Sequence, residues 1–302
     1  MDIVVFGAGS LGSLVGGLLA REHDVTLVAR EDHARAVRES GLRLEGAING
    51  GPSRVFPVAT TDGAGLEADL AVVTVKSFDT ASAAETLATG AFDAILSLQN
   101  GMGNEATLTA RLEAPVLAGT ATYGAILREP GVVECTGRGD VVLGARAGES
   151  SALADRVGEA FVAAGLETTV AEDMPRRLWE KLAVNAGINA VTALADVDNG
   201  AILEAPADDL ARAAARETAR VARSRDADLS NRSALAALES VATDTAANTS
   251  SMRQDILSER RTEIDAINGY VVDCAAQAGL EVPMNRTLTT LVRTWEGGRD
   301  LR

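Results

Sequence analysis

The chain almost lacks lysine. Of 28 basic residues in 302, only Lys76 and Lys181 are lysines; the rest are arginines. Two lysines in such a background mark candidate positions where arginine would not serve, the plain alternative being remnants that snorkel to solvent. Lysine carries a compact ammonium whose pKa moves when desolvated, so it can release a proton near neutral pH, which arginine cannot. Histidine is as scarce. His23 and His33 lie in turn-like or polar surroundings, where exposure and a structural role are expected, leaving no His-based metal site or catalytic triad. The two cysteines, Cys135 and Cys274, are far apart and form no CxxC pair or metal-like cluster, so reduced packing thiols are expected. Aromatic residues amount to 3%, so Ala, Val, Leu and Ile must build the core. No uncharged apolar run is long enough to span a membrane. The N-terminus opens directly into strand-like MDIVVFG without a basic region or secretory core, and a cytoplasmic location is expected. A net charge of −15 argues against nucleic acid and anionic membranes as partners. An acidic, lysine-poor surface also fits a protein kept soluble at high salt. Loss of the fold at low ionic strength would mark that property; indifference to salt would exclude it.

What is present is enough for two domains, with 46% hydrophobic residues to fill their cores. In the first half, short apolar runs (DIVVFG, DVTLVAR, DLAVVTVK, DAILSLQN) alternate with helix-like stretches such as SLVGGLLAREH and FDTASAAETLA. That alternation predicts an α/β domain over 1–172 with a Rossmann-type doubly wound parallel sheet. GLRLEG…SRVFPVAT reads as an irregular two-stranded excursion. VLAGTATYGAIL, GVVECTG and DVVLGA read as strands extending the sheet, and ETTVAE as the last strand. Residues 173–302 read as an all-helical domain. A first helix begins at MPRRLWEK with Pro175 in its first turn, and others follow at 206–225, 231–247, 255–278 and 284–296.

Gly7-Ala8-Gly9-Ser10-Leu11-Gly12 matches GxGxxG between the first strand and an apolar helix. In that context Gly7 makes the tight turn, Gly9 lets backbone approach a pyrophosphate, and Gly12 lets helix pack on strand, with the helix N-terminus toward the phosphates. The second strand ends in Arg30, where NAD-dependent versions place Asp or Glu. Arginine suits a 2′-phosphate through charge-assisted bidentate bonds, so NADP (NADPH) is the expected cofactor, although Glu31 and Asp32 stand next door. Lys76 and the run Gln99-Asn100-Gly101-Met102-Gly103 end later strands at the edge where open α/β sheets bind ligands. Asn100 offers a donor and an acceptor there.

In the second half, Lys181, Asn185 and Asn189 are spaced i, i+4, i+8 on an otherwise apolar helix and form one polar stripe. Buried, such groups need partners, which a polar ligand would provide. Asn199-Gly200 beyond this helix is either a turn or a further ligand contact. In NTSSMRQD, Ser250 and Ser251 read as helix caps or as hydroxyls for a carboxylate. Glu263 lies in RRTEIDAINGY, and its spacing alone favours a solvated helix face or a pair with Arg260.

Taken together, GAGSLG, Arg30, VTVKSF, LQNGMG, LWEKLAVNAGINAVTAL, NTSSMRQD and RRTEIDAINGY resemble the ketopantoate reductase (2-dehydropantoate 2-reductase) family over essentially the whole chain. The resemblance implies NADPH-dependent reduction of ketopantoate to pantoate, in pantothenate and coenzyme A synthesis. It makes Lys181 the catalytic acid and Glu263 a catalytic residue touching substrate or cofactor at the cleft. Asn100, Asn185, Asn189, Asn199 and Ser251 become substrate contacts. Gly7, Ala8, Gly9, Ser10, Leu11, Gly12, Arg30, Lys76, Asn100, Ala125 and Glu263 become cofactor contacts. No metal is implied, and a homodimer is compatible with it. The residues alone also admit a related two-domain 2-oxo acid or opine-type reductase, or an NADP-binding sensor without turnover.

Overall fold

The computed structural model of the chain describes residues 1–302. β1 (Asp2–Phe6), α1 (Ser10–Leu19), β2 (Asp24–Val28) and α2 (Glu31–Ser40) open the fold. β3 (Leu42–Gly46), β4 (Ser53–Val55), β5 (Val58–Thr60), β6 (Glu67–Val73), α3 (Thr80–Leu87), β7 (Ala91–Ser97), α4 (Asn104–Thr109) and β8 (Val116–Ala121) follow. β9 (Gly124–Glu129), β10 (Val132–Gly137), β11 (Val141–Ala145), α5 (Ala152–Ala163) and β12 (Thr168–Val170) complete the strand-rich part. The helical part comprises α6 (Met174–Ala195), α7 (Ala207–Arg223), α8 (Asn231–Asp244), α9 (Ser251–Leu257), α10 (Tyr270–Gln277) and α11 (Pro283–Gly297). None of these helices is long and apolar enough to cross a membrane.

The main sheet has the order β12-β11-β8-β7-β6-β1-β2-β5. From β5 to β8 all pairs are parallel, while β11 runs antiparallel to β8 and carries β12 with it. The chain builds outward from β1 to β2 and β5, then returns to the other side of β1 with β6. The order therefore reverses between β1 and β6, the place where such sheets open a crevice at their carboxyl ends. Parallel strands covered on both faces need apolar residues throughout. Accordingly Val4 and Val5, Leu27 and Val28, Leu70–Val73 and Ala94–Ser97 are all buried.

The segments expected to extend this sheet divide instead. β8 and β11 join it, but β9 and β10 form a second, four-stranded sheet with the earlier excursion, in the order β4-β3-β10-β9. Only β5 of the excursion reaches the main sheet. The small sheet exists because α1 is apolar all round and needs cover on two sides. A Cβ on Gly16 would lie 2.5 Å from Leu27 Cδ2 of the main sheet, and one on Gly17 2.5 Å from Leu44 Cδ2 of the small sheet. Adjacent glycines thus let one helix approach both sheets closely.

His33 corrects the expectation of exposed histidines. EDHARAVRES looks polar, yet His33, Ala34 and Val37 form the inner face of α2. Gly131 N donates to His33 Nδ1 at 3.0 Å, so the ring proton sits on Nε2 and points to Ser13 Oγ at 3.0 Å, whose hydroxyl donates to Ala8 O at 3.1 Å. An imidazolium could not accept from Gly131, and burial pushes the His33 pKa below its ordinary 6.5. The unfolded chain then binds the proton first. This contribution is complete above about pH 6.5 and is lost as pH falls below it toward the depressed folded value. Thermal melts from about pH 8 to pH 5 should show wild type losing stability more steeply on the acid side than His33→Gln. Parallel curves would remove His33 from the titration. His23 is only partly buried, with Nε2 at 2.9 Å from Ala160 O. Both cysteines are buried and free, and burial raises both thiols.

The helical part corrects a second expectation. Residues 255–278 are not one helix. α9 ends at Leu257, Glu259 takes a positive φ of 49°, and regular structure resumes as a π-turn at Asp265–Gly269 that runs into α10. Glu263 therefore lies in a bend and not on a helix face. The chain falls into two compact units, 1–99 with 104–174 and 175–302 with 100–103.

Candidate active site

In the sheet unit, β1, β2, β6 and β7 end in register, with Phe6 opposite both Val28 and Val73, and Val73 opposite Ser97. The GxGxxG turn, Arg30 and Lys76 therefore leave the same edge. Gly7 has φ +104°, and a Cβ there would lie 2.6 Å from Val75 Cγ1 and 2.7 Å from Val75 N. Its N–H and that of Ala8 both donate to Val28 O. A Cβ on Gly12 would lie 2.5 Å from both Gly7 O and Thr74 Oγ1. The Thr74 hydroxyl donates to Gly7 O at 2.9 Å, bracing the turn from β6. Gly9 differs: a Cβ there would meet only Gly7 O, at 4.0 Å, so its backbone faces open space. Ser10 begins α1 and its Oγ accepts from Leu127 N at 3.1 Å, which fixes β9, the strand of Ala125, beside the loop.

Arg30 is exposed at the N-cap of α2. The neighbouring carboxylates that weakened its reading as an anion site are engaged elsewhere, Glu31 with Arg38 at 3.1 Å and Asp32 with Arg35 at 2.7 Å. Lys76 is half-buried and precedes a short 3-10 turn, Ser77–Asp79. Gln99, which carried no signal of its own, is buried. Its Nε2 donates to Thr80 Oγ1 at 2.7 Å and Val75 O at 3.1 Å, tying the end of β7 to the segment that carries Lys76.

In the helical unit, α6 is buried at every position from Leu182 to Ala193 except Asn185. With Lys181 and Leu178 this makes one narrow accessible strip leading into the closed middle of the helix. Lys181 and Asn185 are half-buried, and Asn189 is 6% exposed. Two amides and an ammonium along such a strip offer hydrogen-bonding groups to whatever occupies it.

Asn199 opens a 3-10 turn, Asn199–Leu203, that docks on the segment before α9 through Asn199 N→Asn248 O and Gly200 N→Ala246 O, both 3.0 Å. A Cβ on Gly200 would lie 2.9 Å from Ala246 Cβ. Asn199 Nδ2 donates to Thr245 Oγ1 at 3.0 Å, so half of this amide is already structural, while its buried Oδ1 has no protein partner. Of the paired serines, Ser250 is the cap. Its Oγ accepts from Arg253 N at 3.2 Å and meets Thr192 Oγ1 of α6 at 2.8 Å. Ser251, in the first turn, stays partly accessible.

Glu263 is 5% exposed, against the expectation of a solvated face, and Arg260 instead pairs with Asp255 at 3.6 Å. Asn100 Nδ2 lies 3.5 Å from Glu263 Oε2, bringing together two residues 163 positions apart. Met102 N donates to Ala266 O at 2.9 Å, and a Cβ on Gly101 would lie 2.6 Å from that carbonyl oxygen. The glycine at 101, with φ +78°, is what lets the Asn100 loop seat on the 263–266 bend. Asn268 Nδ2 anchors the same bend to α6 at Ala186 O, 3.0 Å. Trp179 of α6 packs on Tyr270 of α10 with ring centroids 5.9 Å apart.

Residues 3–148 match the family model for ketopantoate reductase PanE/ApbA, and residues 173–296 that for its C-terminal part. A 2-dehydropantoate 2-reductase of Halobacterium salinarum is 46% identical over 97% of this chain and 98% of its own. One of Pyrococcus horikoshii is 38% identical over 98% of each. The crystal structure of a PanE/ApbA family ketopantoate reductase from Ralstonia eutropha superposes with a TM-score of 0.90 at 33% identity, covering 99% of this chain and 100% of that one. The chain belongs to the ketopantoate reductase PanE/ApbA family.

Proposed function

We propose that this protein is a 2-dehydropantoate 2-reductase that uses NADPH to reduce ketopantoate to pantoate. The observation that carries the reading is the line of Lys181, Asn185 and Asn189 on α6, where every residue from Leu182 to Ala193 except Asn185 is buried. A sequence in which arginine has displaced nearly every other lysine keeps one there.

The sheet unit suits a dinucleotide. The open backbone of Gly9 and the N-terminus of α1 would take the pyrophosphate, since a helix N-terminus presents unpaired N–H groups to an anion. Arg30, its acidic neighbours occupied, would take the 2′-phosphate. Lys76, Asn100 and Ala125 complete the cofactor contacts in this reading. When bound, the dihydronicotinamide supplies the hydride for the 2-oxo carbon.

The chain's own residues do the rest. As the substrate carbonyl gains charge, the Lys181 ammonium donates a proton to its oxygen. Asn185 and Asn189 orient the substrate with their amides, aided by Asn100 and by Asn199 through its free Oδ1. Ser251 accepts a role at the carboxylate, where a hydroxyl donates to an anion. Glu263, placed by Asn100 and the bend, orients the substrate hydroxyl or the lysine. A small-molecule enzyme of this kind acts in the cytoplasm, without nucleic acid or membrane.

The test is NADPH oxidation followed by absorbance with ketopantoate, beside NADH and other 2-oxo acids, at low and high salt. Selective oxidation with ketopantoate and NADPH is expected. Tight NADPH binding with no oxidation at any salt, or a faster reaction with another 2-oxo acid, would overturn the substrate assignment.

A further inference from the structure

The bend that carries Glu263 is held by a carboxylate remote in sequence. Glu296 lies in the last turn of α11 and is 0% exposed. Its Oε1 accepts two hydrogen bonds from one residue, Thr262, from N at 2.8 Å and from Oγ1 at 2.7 Å. The same Thr262 Oγ1 accepts from Ile264 N at 3.3 Å. Ile264 O in turn accepts from Gly269 N at 2.9 Å, the bond that closes the π-turn. Glu263 thus sits between two residues pinned, directly or through one hydroxyl, to Glu296.

Neither local preference nor core packing calls for a carboxylate at this position. The C-terminal turn of a helix favours cations, and burying a carboxylate is costly unless its oxygens are satisfied. Here one oxygen is spent on Thr262. The other, Oε2, makes no hydrogen bond and has only the Arg302 guanidinium at 3.5 Å. An apolar side chain would fill the same space without that cost. What an apolar side chain cannot do is accept from Thr262. A second clamp lies one residue past Ile264. Arg293 Nη2 meets Asp265 Oδ1 at 2.7 Å, Arg302 binds Oδ2, and Arg261 approaches at 3.5 Å. Burial works to raise the Asp265 carboxyl, but the bonds from Arg293 and Arg302 outweigh it and hold it below its ordinary value, so the clamp stays charged. A π-turn beside a functional side chain is a recurrent device, and here it opens α10.

We propose that Glu296 is a positioning residue: through Thr262 it fixes the bend from which Glu263 reaches the site and on which the Asn100 loop is seated. The inference rests on the functional reading of Glu263 given above. Glu296 touches neither substrate nor cofactor and acts only through the bend.

The full-length protein tests this by two readouts. The first is a double-mutant cycle on steady-state reduction. Glu296→Ala should lower kcat/KM for ketopantoate about 10- to 100-fold, the size expected when a reacting group is displaced by about 1 Å. In a Glu263→Gln background most of that loss should vanish, because the residue being positioned is already disabled. Glu296→Gln keeps an amide oxygen to accept from Thr262 and should restore most of the activity lost in Glu296→Ala. If Glu296→Ala does not fold, Thr262→Val, which removes the hydroxyl link and keeps the shape, takes its place in the cycle. The second readout needs no activity: amide exchange at Thr262, Ile264 and Gly269 should speed up in Glu296→Ala or Thr262→Val and stay slow in Glu296→Gln. Equal losses in both backgrounds, or unchanged exchange, would overturn the proposal. Inactive wild type with the expected exchange pattern would instead fault the assigned reaction and leave the clamp standing.

Discussion

Lys181→Ala is expected to lower turnover about 1,000-fold, within the range that positioned acid catalysis supplies, while NADPH binds within about 2-fold of wild type. The fold should tolerate the change. Lys181 is half-buried on α6, and alanine is the best helix former. The core around it rests on Leu182, Val184, Ile188 and Val191, which the substitution leaves in place. Lys181→Arg is the sharper variant. It keeps the positive charge, yet arginine stays protonated in proteins and cannot hand over its proton. A binding role for the charge predicts near-normal turnover with arginine; a proton-donating role predicts a loss close to that of alanine. Steady-state rates at saturating NADPH and substrate, with cofactor dissociation constants measured separately, decide between them. Wild-type turnover in Lys181→Ala would remove the residue from the mechanism.

Arg30→Asp should weaken NADPH binding about 100-fold, the worth of one or two charge-assisted hydrogen bonds. NADH binding should stay within about 3-fold or tighten, because an acidic residue at this position suits the free ribose hydroxyl. The comparison is clean because Arg30 occupies the N-cap of α2 with extended backbone, φ −67° and ψ 153°, and aspartate is a strong N-cap. The helix should therefore not suffer, and any loss common to both cofactors would have to arise elsewhere. Equal losses for NADPH and NADH, by titration calorimetry, would remove Arg30 from recognition of the 2′-phosphate.

Much of this was legible from local pattern. The parallel strands showed as apolar runs and the GxGxxG turn as punctuation between strand and helix. The Lys181–Asn185–Asn189 strip showed because helical spacing put polar groups in line on an apolar helix. The misses have physical reasons. β9 and β10 carry the same apolar composition as sheet strands, and nothing local says which sheet they join. That depends on α1 needing cover on a second face, through Gly16 and Gly17. His33 was hidden by charged neighbours, although its spacing from Val37 puts both on one face of α2. The break after α9 was masked because 255–278 holds no proline to mark it. The partnership of Glu296 with Thr262 spans 34 residues and left no trace in spacing. Glu263 read as solvated for the same reason, since its burial comes from the bend and not from a periodic face.

Residues 100–103 follow β7 of the sheet unit but group with the helical unit, and the chain then returns to the sheet unit for residues 104–174. No single cleavage of the chain separates the two units as they are packed. A fragment ending before Pro175 would keep the Asn100 loop in sequence while losing Ala266, whose carbonyl receives the Met102 amide. Exchange of the helical unit between relatives therefore has three parts to match: the graft itself, a glycine at 101 that clears the incoming backbone, and a side chain at 100 that meets its carboxylate.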